Sequence, residues 1–345
     1  MVYARYYPSE TKECKVDSSL AYSIGSIFAW AGPVIFGVIG ETITERAGVM
    51  NLSLNGSLIL TAMVGFVVGT TTNNFLLGFL AAAMVGALVA LLIAFMSISL
   101  KQSQVAVGYV LAIATKSLAY FLGAPYVGKA VMLLPQVPIP LLSEIPFIGP
   151  ILFKQTILTY CSYILIFVCY FWVFKTHQGL ILQGIGERPS AAYIRGVNVN
   201  RMRYIYTGIG GALVGVGGAL YSLSVKTWNG QLSGFDGIGW IILAITIFGG
   251  WHPLKGALGS YLFVLLQYLG IVLQPLLPNV NSRIFQVAPF PLMILALLFV
   301  NIGNADWVDR TLAGLPENVR RTIAKLLRAM RTSPPAALGI PFEKE

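Results

Sequence analysis

Long uncharged stretches divide the chain into apolar segments of membrane-spanning length. Residues 47–100 contain no charged side chain, and a polar turn at 70–74 divides this stretch into two segments. A helix needs about 20 apolar residues to cross a hydrocarbon core of about 30 Å. The pattern therefore predicts nine apolar segments, at about 20–40, 50–69, 75–97, 103–122, 157–174, 204–224, 238–250, 255–275 and 284–303.

Glycine and proline interrupt three of these segments. The segment 238–250 is short and glycine-rich at its end, Pro33 lies inside the first segment, and Gly48 and Gly56 flank the start of the second. Broken helices occur in membranes where protein or a water-filled cavity surrounds the free backbone groups. We therefore expect an all-α, polytopic bundle of about eight to ten transmembrane helices, some of them broken or re-entrant.

Composition excludes most soluble classes of protein. Of the 345 residues, 56% are hydrophobic and 10% are charged, whereas a soluble domain carries about 25% charged residues. A soluble enzyme, a disordered chain and a nucleic-acid binder do not fit these values. Three cysteines and two histidines, widely spaced, predict no metal site, no disulfide framework and no cofactor. We expect a multi-pass protein of the inner or plasma membrane, in contact with membrane lipid.

Basic residues predict the orientation in the membrane, because lysine and arginine accumulate on the cytoplasmic side. The net charge is +10, and both the loop 175–203 and the tail 304–345 are basic. Four predicted segments separate these two regions, so both are expected in the cytoplasm. Counting backwards places the turn 41–46 inside and the N-terminus outside. The same count places three connections outside, at 123–155, 226–237 and 276–282.

The chain is expected to have three parts. A polar N-terminal segment covers 1–19, a transmembrane domain covers 20–303, and the basic tail covers 304–345. Within the tail, apolar residues at helical spacing over 317–330 predict either a basic amphipathic helix on the inner membrane surface or a solvated helix.

A short helix is predicted inside the basic loop 175–203. Pro189 suits the first position of a helix, and Gly196 suits a left-handed stop. Glu187 would lie beside the positive end of this helix, and the small Ala191 and Ala192 leave room for a soluble partner to pack closely. The alternative is an ordinary polar connection between two spans.

Three stretches resemble motifs of the ABC transporter permeases that import branched-chain amino acids, simple sugars and nucleosides. The loop reads GERPSAAYIRGVNV at 186–199 and resembles the family's coupling loop. The stretch ERAGVMNLSLNG at 45–56 resembles an early motif of the nucleoside and simple-sugar branch, and 237–259 resembles a later glycine-rich motif. Two departures are Asn55, where the family usually has an acid, and Arg188, where it usually has asparagine.

The resemblance implies a transport subunit that is not itself an enzyme and works by alternating access. Two permease subunits, alike or different, would line one pathway, two cytoplasmic ATP-binding subunits would bind the coupling loops, and an external binding protein would deliver the solute. The chain has no G-x-x-x-x-G-K-[ST] phosphate loop, so we expect ATP hydrolysis in the partner. The implied coupling residues are Gly186, Glu187, Arg188, Pro189, Ala191, Ala192 and Gly196.

Polar side chains within the spans predict a substrate pathway. Asn51 and Asn55 are four residues apart and would share a helix face with the nearby Ser53. Lys116 is expected toward the outer end of its span, where it snorkels outward or contributes to the pathway. Uncharged hydrogen-bonding groups suit a nucleoside or simple sugar, although asparagine and serine also join helices in membranes. The candidate pathway residues are Asn51, Ser53, Asn55, Lys116, Phe235, Asp236 and Trp240.

Two other functions and two other solute classes stay open. An ATP-independent channel or secondary transporter would usually place several ionisable groups near the membrane midplane, where this sequence offers only Lys116. A membrane enzyme would need clustered histidines or carboxylates at one membrane face, and the sequence has none. A branched-chain amino acid or a flavin-like molecule is the alternative solute.

Overall fold

The chain is a bundle of helices in a computed structural model that describes residues 12–129, 133–277, 281, 284, 287–288, 290–295 and 333–343. No strand occurs within these ranges. The helices are α1 (Lys12–Arg46), α2 (Leu54–Thr71), α3 (Phe75–Ala94), α4 (Gln104–Gly123), α5 (Ile148–Leu152), α6 (Ile157–Lys175), α7 (His177–Glu187), α8 (Pro189–Ile194), α9 (Val199–Leu220), α10 (Ile238–Phe248) and α11 (Pro253–Leu273).

Seven of the described helices are long and apolar enough to cross a membrane, and the eighth apolar helix, α10, has only 11 residues. These eight coincide with the first eight predicted segments, which confirms the all-α polytopic architecture and the short seventh segment. The ninth predicted segment, 284–303, is helical at 290–295 and otherwise lies mostly outside the described residues. The N-terminal residues 1–11 and the tail residues 304–332, with the predicted amphipathic helix, also lie outside them.

Helix α1 is longer than the sequence predicts at both ends. It begins at Lys12, inside the predicted polar segment, and continues through Pro33 to Arg46. The predicted turn at 41–46 is therefore wrong. Glu41 and Glu45 are fully buried among neighbouring segments, so this stretch continues the helix inside the bundle. The helix ends where Gly48 adopts a left-handed conformation with a φ of +91°.

The two buried carboxylates hold the end of α1 to neighbouring segments. The backbone N–H of Asn51 donates a hydrogen bond to Glu41 Oε1 at 3.2 Å, and the indole N–H of Trp251 donates to Glu45 Oε2. A carboxylate inside a membrane protein is costly unless it is hydrogen-bonded. These contacts therefore fix the connection 47–53 and the α10–α11 connection against α1.

Glycines bring the backbones of α1, α9 and α3 into direct contact. A methyl group at Gly210 on α9 would lie 2.5 Å from the carbonyl oxygen of Gly40 on α1. On the other side, a methyl group at Gly211 would lie 2.5 Å from the carbonyl oxygen of Gly86 on α3. Small residues allow this approach, which favours association where lipid supplies no hydrophobic drive. Helix α9 is therefore the centre of the bundle.

One end of the bundle is basic, and the C-terminal residues pack against it. We call this end the basic face; it carries Arg46, Lys101, Arg188 and Arg201. Residues 333–343, the C-terminal strap, reach it through a hydrogen bond from the N–H of Ala337 to the carbonyl oxygen of Gly186 at 2.8 Å. The loop 175–203 and the end of the tail thus share one face, as the even number of intervening spans predicts.

Two alanine substitutions on α9 test the glycine packing. A methyl group at Gly215 would lie 2.2 Å from the carbonyl oxygen of Ala82, whereas one at Gly208 meets only the Leu91 side chain at 3.4 Å. Gly215→Ala should lower the free energy of unfolding by about 1–3 kcal/mol because the backbones must separate. Gly208→Ala should leave it unchanged or raise it by about 1 kcal/mol through helix propensity.

Thermal unfolding of the two variants in detergent, followed by circular dichroism, measures this difference. Equal melting temperatures for the two variants would contradict backbone contact between α9 and α3.

Candidate functional site

Helices α2, α4 and α10 meet at Asn55, in the first turn of α2. A methyl group at Gly239 in α10 would lie 2.2 Å from the Asn55 Cα, so the starts of α10 and α2 are in backbone contact. A methyl group at Gly56 would lie 2.1 Å from the carbonyl oxygen of Ala112 on α4. Glycine at both positions therefore lets three helices converge on one polar residue.

Asn55, Lys116 and Asp236 form a hydrogen-bonded group that we call the central polar cluster. Asn55 Nδ2 donates to Asp236 Oδ1 at 2.8 Å, and the N–H of Gly237 donates to Asn55 Oδ1 at 2.9 Å. Lys116 Nζ donates to Asp236 Oδ2 at 2.5 Å. The structure thus brings together three of the predicted pathway residues, from three separate segments of the chain.

The cluster lies near the middle of a span. Lys116 is the thirteenth of 23 residues in the span Gln104–Tyr126, about 18 Å from its first residue. The ammonium group pairs with Asp236 instead of extending outward, and the helical span continues for ten more residues to Tyr126. The side chains of Lys116 and Asp236 are 35% and 47% exposed. Lipid does not accommodate exposed charges at this depth, so this face must border water or protein.

Asp236 is held in its ionised form. It lies in the connection before α10 and packs against the span Gln104–Tyr126 at Lys116. Its carboxylate accepts hydrogen bonds from the Lys116 ammonium and the Asn55 amide, and such bonds favour the charged form. The cluster therefore carries one negative and one positive charge and is neutral as a whole.

Helices α4 and α10 each carry an aromatic ring on the side of the cluster. Trp240, one turn after Asp236, is 37% exposed, and its ring centroid lies 6.5 Å from that of Tyr109, which is 56% exposed and two turns before Lys116. Sequence reasoning missed Tyr109, whose seven-residue spacing from Lys116 is the signal that places both on one face of α4. Exposed aromatic rings beside hydrogen-bonding groups are suited to stack on a planar solute.

Three other predicted pathway residues are buried. Phe235 packs against Tyr221, with ring centroids 4.3 Å apart, and points into the core. The predicted helix face shared by Asn51 and Asn55 is wrong, because α2 begins at Leu54 and Asn51 precedes it. Asn51 Oδ1 instead accepts a hydrogen bond from the Ser53 hydroxyl at 2.7 Å. These residues shape the turn into α2.

The loop 175–203 contains the short helix that the sequence predicts. Helix α8 begins at Pro189, and Gly196 follows it with a φ of +87°, which confirms the predicted start and stop. Helix α7 before it touches α1 directly, since a methyl group at Gly186 would lie 2.0 Å from the carbonyl oxygen of Arg46. The loop is therefore in backbone contact with a spanning helix.

Helix α8 presents only part of the predicted surface. Ala191 and Arg188 are exposed, but Ala192 is 8% exposed and packs inward. Sequence reasoning missed Ile194, which is 84% exposed. The Glu187 carboxylate accepts a hydrogen bond from the N–H of Ala336 in the C-terminal strap at 3.3 Å, a contact that local sequence does not reveal.

Comparison with known proteins identifies the family. The family described as "Branched-chain amino acid transport system / permease component" matches residues 23–297. The chain belongs to this family. It is therefore the permease subunit of an ABC transporter, a multi-pass protein of the plasma membrane, as the motifs predict. No solved structure matches the chain.

Three relatives carry transport names. The putative glucose ABC transporter permease protein TsgC13 of Haloferax volcanii is 35% identical over 69% of this chain and 73% of its own length. The nucleoside ABC transporter permease protein NupC of Lactococcus lactis is 32% identical over 85% of this chain and 97% of its own length. The guanosine ABC transporter permease protein NupQ of Bacillus subtilis is 34% identical over 83% of this chain and 94% of its own length.

Removing the two charges of the cluster, singly and together, tests their pairing in this permease. Asp236→Asn leaves the Lys116 ammonium unpaired, and Lys116→Met leaves the Asp236 carboxylate unpaired. Each single change should therefore destabilise more than the double change, with a coupling of about 1 kcal/mol at this partial exposure.

Thermal unfolding of the four proteins measures the coupling. Lys101→Met is the control, because it breaks an ion pair with Glu343 whose side chains are 61% and 62% exposed, and it should change stability by less than about 0.5 kcal/mol. Strictly additive effects at positions 116 and 236 would contradict the pair.

Proposed function

We propose that this permease imports a nucleoside, with cytoplasmic ATP-binding subunits driving alternating access around the central polar cluster. The observation that carries the proposal is the partly exposed ion pair between Lys116 and Asp236 near the middle of a span. Such a pair is stable beside an aqueous pathway and not beside lipid. A second permease subunit, a copy or a relative, closes the pathway opposite this face.

The chemistry of the cluster suits an uncharged polar solute. The Asp236 carboxylate accepts hydrogen bonds from hydroxyl groups, as on a ribose, while Lys116 donates to their oxygens. The rings of Trp240 and Tyr109 then stack on the base. Two relatives named for a nucleoside and for guanosine are covered over 97% and 94% of their length, which favours a nucleoside over a simple sugar.

In the proposed cycle, ATP binding is coupled to the permease through α8 on the basic face. An ATP-binding subunit binds the exposed surface of Arg188, Ala191 and Ile194 and moves α7 and α8 when it closes on ATP. Helix α7 transmits this motion to α1 by the contact between Gly186 and Arg46. The basic face lies in the cytoplasm, and an external binding protein delivers the solute to the opposite end.

ATP-driven uptake into vesicles tests the proposal. The wild-type permease is reconstituted with its ATP-binding subunits and its binding protein, and uptake of labelled guanosine, glucose and leucine is compared. Guanosine uptake that requires ATP is expected. Ile194→Asp should lower it at least about 10-fold, because a desolvated charge at the centre of an interface costs more than about 1.4 kcal/mol.

Ile194→Leu is the matched control, since it keeps an apolar side chain at the same exposed position and should leave uptake unchanged. Uptake driven by a proton or sodium gradient without the ATP-binding subunits would contradict the proposal. ATP-driven uptake of glucose or leucine in place of guanosine would keep the transport mechanism and overturn the solute.

A further inference from the structure

The C-terminal strap bridges the end of α7 and the segment after α1, which also meet at the contact between Gly186 and Arg46. The N–H of Ala337 donates to the carbonyl oxygen of Gly186 at the end of α7, and the N–H of Gly339 donates to the carbonyl oxygen of Gly48 after α1 at 3.1 Å. Both hydrogen bonds join backbone atoms, so they depend on the backbone path of the strap and not on its side chains. The strap also lies beyond residue 297, where the family match ends.

Arg203 fastens the strap from below. It lies in the second turn of α9 with no exposed surface, and its guanidinium donates to the carbonyl oxygens of Ile340 at 2.8 Å and Ala337 at 3.4 Å. A methyl group at Gly48 would lie 2.7 Å from the same guanidinium. A buried arginine needs acceptors, and the strap supplies them.

The residues after Gly48 lead directly to the central polar cluster. Asn51 is held by Glu41, the Ser53 hydroxyl contacts that of Ser57 at 2.8 Å, and Asn55 follows in the first turn of α2. Only six residues separate Gly48 from Asn55, and the side chains that make these contacts are buried. A displacement of Gly48 therefore reaches the cluster through a short segment with little freedom to absorb it.

We propose that the C-terminal strap is a positioning element that couples the α7–α8 loop to the pathway. On this reading, which rests on the proposed function, a movement of Gly186 pulls the strap, the strap pulls Gly48, and the connection 47–53 reorients Asn55. Arg203 keeps the strap engaged. The strap is required for efficient use of ATP, although it touches neither ATP nor solute.

The charged tip of the strap offers a matched control. Glu343 pairs with Lys101 at 2.5 Å, and both side chains are mostly exposed. Exposed ion pairs contribute little, so Glu343→Gln should leave the strap in place. The ring of Phe342 lies 5.6 Å from that of Tyr193 and belongs to the fastened part.

The ratio of guanosine uptake to ATP hydrolysis tests the coupling role. The reconstituted complex is compared with a chain that ends at residue 332, with Arg203→Met, with Arg203→Lys and with Glu343→Gln. The first two should keep ATP hydrolysis while uptake per ATP falls at least about 10-fold. Arg203→Lys, which keeps one charged donor, should recover part of the loss, and Glu343→Gln should match the wild type.

Two readings separate this inference from the proposed function. If the wild-type complex shows no ATP-driven uptake, the proposed function is overturned, whatever the strap variants show. Wild-type coupling that survives unchanged in the shortened chain and in Arg203→Met overturns the strap. If the shortened chain fails to assemble, amide hydrogen exchange in Arg203→Met decides: exchange at residues 49–55 should rise at least about 10-fold, and wild-type exchange there overturns the inference.

Discussion

The arrangement of this permease depends on one side chain that joins the starts of two helices inside the bundle. A helix that begins within a membrane leaves backbone N–H groups without partners, and water is not there to satisfy them. Asn55 meets this requirement at the start of α10, because its oxygen accepts from the N–H of Gly237 while its amide donates to Asp236. The ionised Asp236 in turn requires the Lys116 ammonium. The pair of opposite charges at mid-span, neutral as a whole, is thus the consequence of starting α10 there.

The same break connects the pathway to the basic face. Helix α2 begins deep in the bundle because the connection 47–53 turns back from the end of α1, held by the buried Glu41 and Glu45. This connection touches the cluster at one end and Gly48, under the C-terminal strap, at the other. The glycines of α9 bring its backbone into contact with α1 on one side and with α3 on the other. A closely packed centre and one short, bent connection are the basis of the route that we propose from the basic face to the cluster.

The sequence predicted the helices, their approximate bounds and the short helix α8, because apolar length, Pro189 and Gly196 are local signals. It also named Asn55, Lys116 and Asp236. It misjudged Glu41 and Glu45, since a carboxylate in sequence looks the same whether it meets water or a buried indole. Burial of Phe235, the exposure of Ile194 and the return of residues 333–343 depend on packing between distant segments. No pattern along a single sequence records those contacts.

Thiol labelling tests most directly whether the face with the cluster borders an aqueous pathway. In a chain without Cys14, Cys161 and Cys169, Trp240→Cys is compared with Phe167→Cys, a 66% exposed position on α6 that faces outward. The account predicts that a charged, water-soluble thiol reagent modifies position 240 in the assembled transporter and leaves position 167 unmodified. Equal protection of both positions throughout the ATP cycle would contradict it.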